Sequence, residues 1–306
     1  MHLYAEGGAV RGVGALLPDG TWERIGCDRL VLASNGFGGA RDLVVRHMPD
    51  IAEAVWFGHS GNRGEAVLWA ESLRAATRHL GSYQGHGNVA HPHGILVTWA
   101  TITAGGFQVN AHGERFHDES RGYSEAARAV LAQPGGTAVT VHDARIAATA
   151  RQFEGYRRAE WAGAVREFAD PAALAAAFAL PPAVLARTLA AVDAAKAGAP
   201  DPLGRDLAGA PPLEPPLRAV RVTGALFHTQ GGLDVSPSGR VRRTDGTMVP
   251  NLWAVGGAAC GMSGSGDAGY LSGNGLLSAV VLGALAGREA GSIAGPPDGG
   301  RHGDDA

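Results

Sequence analysis

The sequence predicts an α/β protein whose main body is built from two separated stretches, residues 1–58 and 217–290, with an α+β insertion at 59–216. Short apolar strands ending in glycine occur in both outer stretches, and an apolar helix directly follows the last of them. The middle of the chain instead mixes Ala/Leu-rich helices with strands. The polar stretch 291–306 is expected to be a disordered tail.

Composition limits the classes of function. The chain has 306 residues, 45% of them hydrophobic, which is enough for a sizeable core in one or two domains. Its 47 glycines are roughly twice the usual share of about 7%, and their positions beside apolar runs indicate tight turns and close backbone approaches. A net charge of −3 without a basic block gives no electrostatic support for binding nucleic acid.

The cysteines and the apolar runs bear on the cellular location of the protein. Cys27 and Cys260 are far apart, which predicts neither a disulfide framework nor a metal site. The start of the sequence shows no secretory signal, and the longest apolar run, residues 279–286, is too short to span a bilayer. We therefore expect a cytoplasmic protein.

The first stretch reads as strands followed by a short helix. Strands are predicted at 9–17 and 21–25, on either side of the turn Pro18-Asp19-Gly20. A buried strand at 27–33 ends in Ser34-Asn35-Gly36-Phe37-Gly38-Gly39, where the backbone is able to approach a ligand closely. A helix is predicted at 42–47.

The insertion alternates helices and strands. Helices are predicted at 65–79 and 123–131, β structure at 95–109 and a strand at 137–142. Pro181-Pro182 divides the Ala/Leu-rich stretch 171–197 into two helices, and the proline-rich stretch 200–216 reads as a surface connection.

The last stretch predicts a cofactor site. Strands are expected at 220–227, 232–235, 239–243 and 252–255, followed by Gly256-Gly257 and a small-residue loop, 269–275, that opens into a helix at 276–286. Such a loop exposes backbone N–H groups at a helix N-terminus, where a flat or anionic ligand can approach. The pattern favours a large cofactor over a small metabolite alone.

Five ordered motifs give the chain a family resemblance. They are residues 31–39, Gly61-Asn62-Arg63-Gly64-Glu65, residues 105–119, His228-Thr229-Gln230-Gly231-Gly232 and residues 270–277. In order and spacing they resemble the FAD-dependent oxidoreductases that include fumarate reductase and succinate dehydrogenase flavoprotein subunits. The resemblance is strongest to the branch with 3-ketosteroid Δ1-dehydrogenases and tricarballylate dehydrogenase.

That resemblance implies a fold, a cofactor and a reaction. The fold is a split FAD-binding domain, a Rossmann domain of the glutathione-reductase type, with an inserted capping domain. The cofactor is FAD, and hydride passes between its N5 atom and a C–C bond adjacent to a carbonyl or carboxylate. The expected partners are a small ketone or carboxylate and an unidentified electron donor or acceptor.

The resemblance also assigns candidate catalytic residues. His228 occupies the position of the HTxGG histidine that holds a substrate carbonyl or carboxylate, and His86 that of a second substrate histidine. Tyr270 stands where fumarate reductases carry a substrate-binding arginine; because a phenol cannot form a bidentate clamp on a carboxylate, this favours ketones. Tyr123, in a Glu-Ser-x-x-Tyr stretch, matches the tyrosine that abstracts a proton in ketosteroid dehydrogenases. The alternative for each is a structural side chain.

The cofactor contacts implied by the resemblance are mostly backbone. Ser34, Asn35 and Gly36 are expected near the dinucleotide, and Gly257 falls where relatives place a ribityl-binding glutamate. The residues expected to present the N-terminus of the last helix to the flavin ring are Ser272, Gly273, Asn274, Gly275, Leu276 and Leu277.

One family feature has no counterpart in the sequence. The N-terminal βαβ unit with a G-x-G-x-x-G turn does not appear, so the chain resembles an N-terminally truncated member of the family. The explanations are a mis-assigned start, a real truncation, or a second chain that supplies the unit. The alternative function is therefore a catalytically silent fragment or a subunit that needs a partner chain. A nicotinamide-dependent enzyme fits less well, because the HTQGG motif and the terminal loop have no place in it.

Overall fold

The computed structural model describes residues 1–266 and 270–293 and divides them into two compact units. Unit 1 comprises Met1–Leu43, His59–Ser82 and the described chain from His228 onward. Unit 2 comprises Val44–Gly58 and Tyr83–Phe227. Each unit is thus assembled from segments that are distant in sequence.

Fifteen strands occur in the described chain. They are β1 (His2–Glu6), β2 (Ala9–Leu16), β3 (Trp22–Gly26), β4 (Leu30–Leu32), β5 (Val55–Trp56), β6 (Thr77–Arg78), β7 (Tyr83–Ala90), β8 (Ile95–Leu96), β9 (Phe107–Val109), β10 (Thr137–Asp143), β11 (Arg166–Phe168), β12 (Leu217–Thr229), β13 (Gly232–Leu233), β14 (Arg240–Arg242) and β15 (Met248–Ala254).

Nine α-helices occur in the same residues. They are α1 (Arg41–His47), α2 (Glu65–Leu73), α3 (Ala100–Thr103), α4 (Tyr123–Leu131), α5 (Ala144–Ala150), α6 (Glu154–Trp161), α7 (Pro171–Phe178), α8 (Pro182–Lys196) and α9 (Asn274–Ser292). None of them combines the length and the apolar character needed to cross a bilayer.

Unit 1 brings two glycine-rich strand ends to the same edge of a sheet. The strands β1, β2 and β3 form an antiparallel meander. In a second sheet, β4 pairs in parallel with β15, Leu30 opposite Leu252 and Leu32 opposite Ala254. Because parallel strands end at the same edge, the turn after β4 and the Gly256-Gly257 turn after β15 lie side by side. Buried residues such as Leu32 and Leu252 fill the core beneath.

Unit 2 is organised around the long strand β12. Strand β10 pairs with it antiparallel from Thr137 opposite Thr223 to Asp143 opposite Leu217, and β9 continues the sheet beyond β10. On the other side β7 lies next to β12, followed by β8. Helix α4 packs directly on β7, because a Cβ at Gly87 would lie 2.5 Å from the carbonyl carbon of Ala126. The absence of a side chain at Gly87 therefore allows α4 to pack closely on β7.

Most predicted elements are present, and some differ from the prediction for identifiable reasons. Helix α2 ends at Leu73 rather than at 79, because Arg74 adopts the left-handed conformation with φ 51° and the chain then enters β6. The predicted β structure at 95–109 is interrupted by α3. Within α3, the Thr101 hydroxyl accepts a hydrogen bond from the side-chain amide of the buried Asn88. The connection 200–216 is not entirely on the surface, since Arg205 is only 6% exposed.

The last helix is longer than predicted. It runs from Asn274 to Ser292 instead of 276–286. Gly269, expected at the start of the preceding loop, lies outside the described residues, as does the expected disordered tail from residue 294 onward.

Candidate active site

The backbone of the turn after β4 packs directly against the backbone of the turn after β15. Asn35 has a left-handed φ of 64°, and its Oδ1 accepts a hydrogen bond from the Gly36 amide at 2.9 Å. A Cβ added to Gly36 would lie 1.9 Å from Oγ1 of Thr229, and one at Gly257 would lie 2.3 Å from Oδ1 of Asn35. Side chains are therefore excluded at both glycines, and the sequence-predicted residues 34–36 and Gly257 do lie together.

The N-terminus of α9 supplies donors in the same unit. Gly273 caps this 19-residue helix with φ 83° and without a side-chain cap, so its first-turn amides have no capping side chain. Gly256, in the turn after β15, approaches the helix: a Cβ there would lie 3.5 Å from the Cβ of Ala279. The predicted residues 272–277 thus form the N-terminal turn of α9 and the two residues before it.

Two buried polar atoms fit a bound polar cofactor. Oγ of Ser34 and Oδ1 of Asn274 are buried and have no hydrogen-bond partner among the described groups. Buried polar atoms in native proteins almost always have a partner. Together with the glycine-containing turns and the helix N-terminus, these atoms suit a dinucleotide. Ser34, Asn35, Gly36, Gly257 and the first turn of α9 are the groups that would hold it.

His228 lies at the end of β12 in a chain of polar side chains. Nε2 of Gln230 lies 3.1 Å from Nδ1 and 3.3 Å from Nε2 of the His228 ring. Oγ of Ser263 donates to Oε1 of Gln230 at 3.0 Å, and Nδ2 of Asn274 donates to Oγ of Ser263. Burial lowers the pKa of His228 below 6.5, and the Thr229 carbonyl offsets only part of this effect.

Tyr270 lies beside this histidine. The two ring centroids are 6.1 Å apart and the rings meet edge to face. The ring of His228 also packs on the N-terminus of α9, because a Cβ at Gly275 would lie 2.8 Å from its Cε1 atom. The predicted residues His228 and Tyr270 are thus neighbours in unit 1.

Unit 2 contains the other predicted histidine–tyrosine pair. The rings of His86 and Tyr123 are stacked at 4.9 Å with an interplanar angle of 20°. The His86 ring also stacks on Phe227 at 5.4 Å and meets Trp99 edge to face at 5.8 Å. This arrangement follows from the close packing of α4 on β7. The Gly85 amide of β7 also donates a hydrogen bond to the Ser124 hydroxyl of α4.

His86 is held as a neutral ring. It is 5% exposed, and burial lowers its pKa to about 3. Its Nδ1 accepts a hydrogen bond from the Asn88 amide at 3.2 Å, so the single proton of the neutral ring resides on Nε2. His86 can therefore donate a hydrogen bond or pack on an aromatic ligand, but it carries no charge for a carboxylate.

A buried ionic cluster surrounds Glu119, four residues before Tyr123, and was not identified from the sequence. Glu119 is fully buried and receives hydrogen bonds from Nε and Nη2 of Arg115 at 3.1 and 2.6 Å. Arg205 lies 3.3 Å from Glu119, and Asp201 accepts from Arg115 at 2.8 Å. Burial would raise the pKa of Glu119, but Arg115 and Arg205 outweigh burial and hold it below 4.5.

The missed residues gave weak signals in the sequence. Glu119 was part of a recognised motif, but Asp201 and Arg205 lie more than 80 positions away in a proline-rich stretch. Gln230 occupies the variable position of the HTxGG motif, and Ser263 lies in a loop outside the five motifs.

Glycine-containing strand ends beside the N-terminus of a long helix are typical of a protein that binds a nucleotide cofactor. Residues 1–276 match the family model described as "FAD binding domain". The chain belongs to this FAD-binding family, and FAD is the family's cofactor.

Individual relatives agree with this assignment. The chain is 27% identical over 263 residues to an NADH:fumarate oxidoreductase of Klebsiella pneumoniae (strain 342). The aligned region covers 85% of this chain and 28% of the relative. It also matches a solved open conformation of a flavocytochrome c3 fumarate reductase with a TM-score of 0.75 and 24% identity, over 94% of this chain and 50% of the other.

A steroid enzyme has the same fold. The 3-ketosteroid Δ1-dehydrogenase of Sterolibacterium denitrificans, solved in complex with 1,4-androstadiene-3,17-dione, matches with a TM-score of 0.75 and 20% identity, over 95% of this chain and 59% of that chain. The chain spans less than two thirds of the length of each of these three proteins.

Proposed function

We propose that this protein is an FAD-dependent oxidoreductase that acts on a C–C bond adjacent to a carbonyl or carboxylate, with ketones favoured. The observation that supports this most is the His228–Tyr270 pair, 6.1 Å between ring centroids, at the N-terminus of α9 and in the same unit as the two glycine-rich strand ends. Bound FAD supplies the hydride chemistry at its N5 atom. Every other task falls to the side chains of the protein.

In this proposal His228 and Tyr270 bind the substrate carbonyl. A neutral imidazole and a phenol are both hydrogen-bond donors, and two donors directed at one oxygen stabilise the negative charge that develops there. Neither group supplies the fixed charge or the planar fork of an arginine. The pair therefore suits a ketone better than a dicarboxylate.

Tyr123 and His86 are proposed as the second catalytic pair. Tyr123 would move a proton at the carbon adjacent to the carbonyl, a task that a positioned phenol can perform. The uncharged His86 stacks on its ring and fixes its orientation. The aromatic faces of Trp99 and Phe227 around them suit an apolar substrate body.

The remaining assignments are also proposals. Residues 1–58 and 217–290 form the FAD-binding part and 59–216 the capping part. The partners are a small-molecule substrate and an electron donor or acceptor, which agrees with relatives named for fumarate reduction and for ketosteroid dehydrogenation. A cytoplasmic location remains a prediction from the sequence.

Replacement of Tyr270 tests the function. The Tyr270→Phe protein, saturated with FAD, is compared with wild type in anaerobic turnover of an α,β-unsaturated ketone with reduced viologen as the electron donor. Loss of one hydrogen-bond donor to the developing oxyanion costs about 10²–10³-fold in rate, while the absorbance of the bound flavin stays the same. Tyr4→Phe, a like change in strand β1, is the control and keeps wild-type turnover.

Two results would count against the proposal. Unchanged turnover in Tyr270→Phe removes Tyr270 from the site. A wild-type chain that binds FAD but turns over neither a ketone nor a carboxylate supports the alternative, a silent fragment or a subunit that acts only with a partner chain.

A further inference from the structure

The buried hydroxyl of Ser82 is bonded to the loop at 261–266, which precedes Tyr270. Ser82 is the last residue of the middle segment of unit 1 and is 0% exposed. Its Oγ donates to the Gly264 carbonyl at 2.9 Å and accepts from the Gly266 amide at 2.9 Å. A carbonyl oxygen only accepts and an amide N–H only donates, so both roles of the hydroxyl are determined. Ser82 therefore holds the 261–266 loop at two points.

The backbone of Ser82 holds the HTQGG motif. The Gln230 amide donates to the Ser82 carbonyl at 2.7 Å, and the Gly261 amide donates to the Gln230 carbonyl at 2.8 Å. Gln230 is two residues after His228, so these backbone bonds fix the segment that carries the histidine. Ser82 thus reaches the His228 segment through its carbonyl and the loop before Tyr270 through its hydroxyl.

Tyr270 lies between two points of the chain that are held in place. Four positions before it, Gly266 is bonded to Ser82. Four positions after it, Asn274 begins α9, and its side chain is hydrogen-bonded to Ser263 in the 261–266 loop. Four residues span at most about 14 Å, so a movement of Gly266 changes where the Tyr270 ring can lie.

We propose that Ser82 is a positioning residue that places the Tyr270 ring beside His228, so that both donors meet one substrate carbonyl. The substrate part of this inference rests on the proposed function. Ser82 acts through the 261–266 loop and not on the substrate itself.

Ser82→Ala separates the two connections. It leaves the Gly264 carbonyl and the Gly266 amide without their buried partner, and the loop has to shift to pair them again. The backbone bond between Gln230 and residue 82 is kept, so the His228 segment stays where it is. The variant therefore changes the placement of Tyr270 alone.

Carbon NMR of the tyrosine rings tests the placement without any turnover. The FAD-saturated 306-residue chain, labelled with ¹³C-tyrosine, is compared with Tyr270→Phe to assign the Tyr270 signals among the five tyrosines. In Ser82→Ala we expect the Tyr270 signals to shift and broaden. Ser72→Ala removes an exposed hydroxyl that donates to the Trp69 carbonyl at 2.8 Å, and this control is expected to keep the wild-type Tyr270 signals. Equal Tyr270 signals in the two variants would overturn the proposal.

Ser82→Cys provides a second variant in case Ser82→Ala fails to fold. The thiol fills the space of the hydroxyl but is a weak donor and a weak acceptor. We expect the Tyr270 signals to shift in this variant as well. Wild-type Tyr270 signals in Ser82→Cys would show that the space at residue 82 matters and its hydrogen bonds do not, which contradicts the proposal.

A double-mutant cycle shows whether Ser82 acts through Tyr270. Ser82→Ala is expected to lower kcat for the ketone by about 100-fold, the cost of a misplacement of about 1 Å, with unchanged affinity for FAD. In the Tyr270→Phe background the same change should lower kcat by less than about twofold, because residues that act through one another are not additive. A loss of similar size in both backgrounds, or a parallel loss of FAD affinity, would rule out the positioning role.

The two readouts separate this inference from the proposed function. If the Tyr270 signals respond to Ser82→Ala but the wild type turns over no ketone, the proposed function fails and the placement of Tyr270 by Ser82 stands. If Ser82→Ala turns over the ketone at the wild-type rate, the positioning role fails and the proposed function stands.

Discussion

The buried cluster around Glu119 allows a stability prediction in numbers. Arg115 and Arg205 contribute two positive charges, and Glu119 and Asp201 two negative charges, so the cluster is neutral as built. The side chains of all four are at most 7% exposed. Glu119→Gln keeps the shape of the side chain but leaves one buried positive charge without a counter-charge.

The expected cost is large because the uncompensated charge stays buried. Removing one partner of a buried ion pair typically destabilises a protein by about 3–5 kcal/mol, against a total stability of about 5–15 kcal/mol for a domain. The assay is equilibrium urea unfolding followed by circular dichroism at pH 7. Glu114→Gln, an exposed glutamate in the same loop, is the control and is expected to change stability by less than about 0.5 kcal/mol.

The pH dependence provides a second check. Because the folded-state pKa of Glu119 lies below 4.5, its stabilising contribution is present above pH 4.5 and is lost as the pH falls through the folded-state pKa. The stability difference between wild type and Glu119→Gln should therefore shrink in acid. A Glu119→Gln protein as stable at pH 7 as Glu114→Gln, or a gap that widens in acid, would refute the reasoning.

Two further predictions concern the cofactor turn and His86. Gly36→Ala places a Cβ 1.9 Å from Oγ1 of Thr229, and we expect the resulting shift of the turn to weaken FAD binding by about tenfold, or 1.4 kcal/mol, in a fluorescence titration. Gly26→Ala, where the nearest atom is 3.9 Å away, is the matched control, and equal affinities in the two variants would contradict the site. Burial lowers the pKa of His86 to about 3, so between pH 5.5 and 4.5 the unfolded chain binds one more proton at this residue than the folded protein does. The free energy of unfolding therefore falls by about 1.4 kcal/mol as the pH drops from 5.5 to 4.5. In urea unfolding at the two pH values, the free energy of unfolding of His86→Phe should fall by that much less than the wild-type value. An equal fall in both proteins would show that His86 titrates normally in the folded protein.

Local sequence signals predicted much of the fold. The turn Pro18-Asp19-Gly20 marked the meander, and Pro181-Pro182 separated α7 from α8. Residues 95–109 were predicted as continuous β structure because apolar and small residues alternate along them. There the tertiary bond from Asn88 to Thr101 overrides local preference, and a single sequence does not reveal such a bond.

The candidate site was predictable where the chain itself carries the motif. The glycine turns, His228 and Tyr270 lie in short recognisable segments, and the structure places them in one unit. The supporting residues were not predictable, because their effect depends on partners far along the chain. Glu119 pairs with Arg205, and Gln230 is hydrogen-bonded to Ser263.

The central claim, that FAD on this chain exchanges hydride with a C–C bond adjacent to a ketone, has one direct test. The FAD-saturated protein is reduced by light without oxygen and mixed in a stopped-flow instrument with an α,β-unsaturated ketone or with fumarate, and the return of oxidised-flavin absorbance is followed. We predict rapid reoxidation by the ketone, slower reoxidation by fumarate, and loss of the ketone reaction in Tyr270→Phe. Reoxidation by fumarate alone, or by neither compound, would contradict the claim.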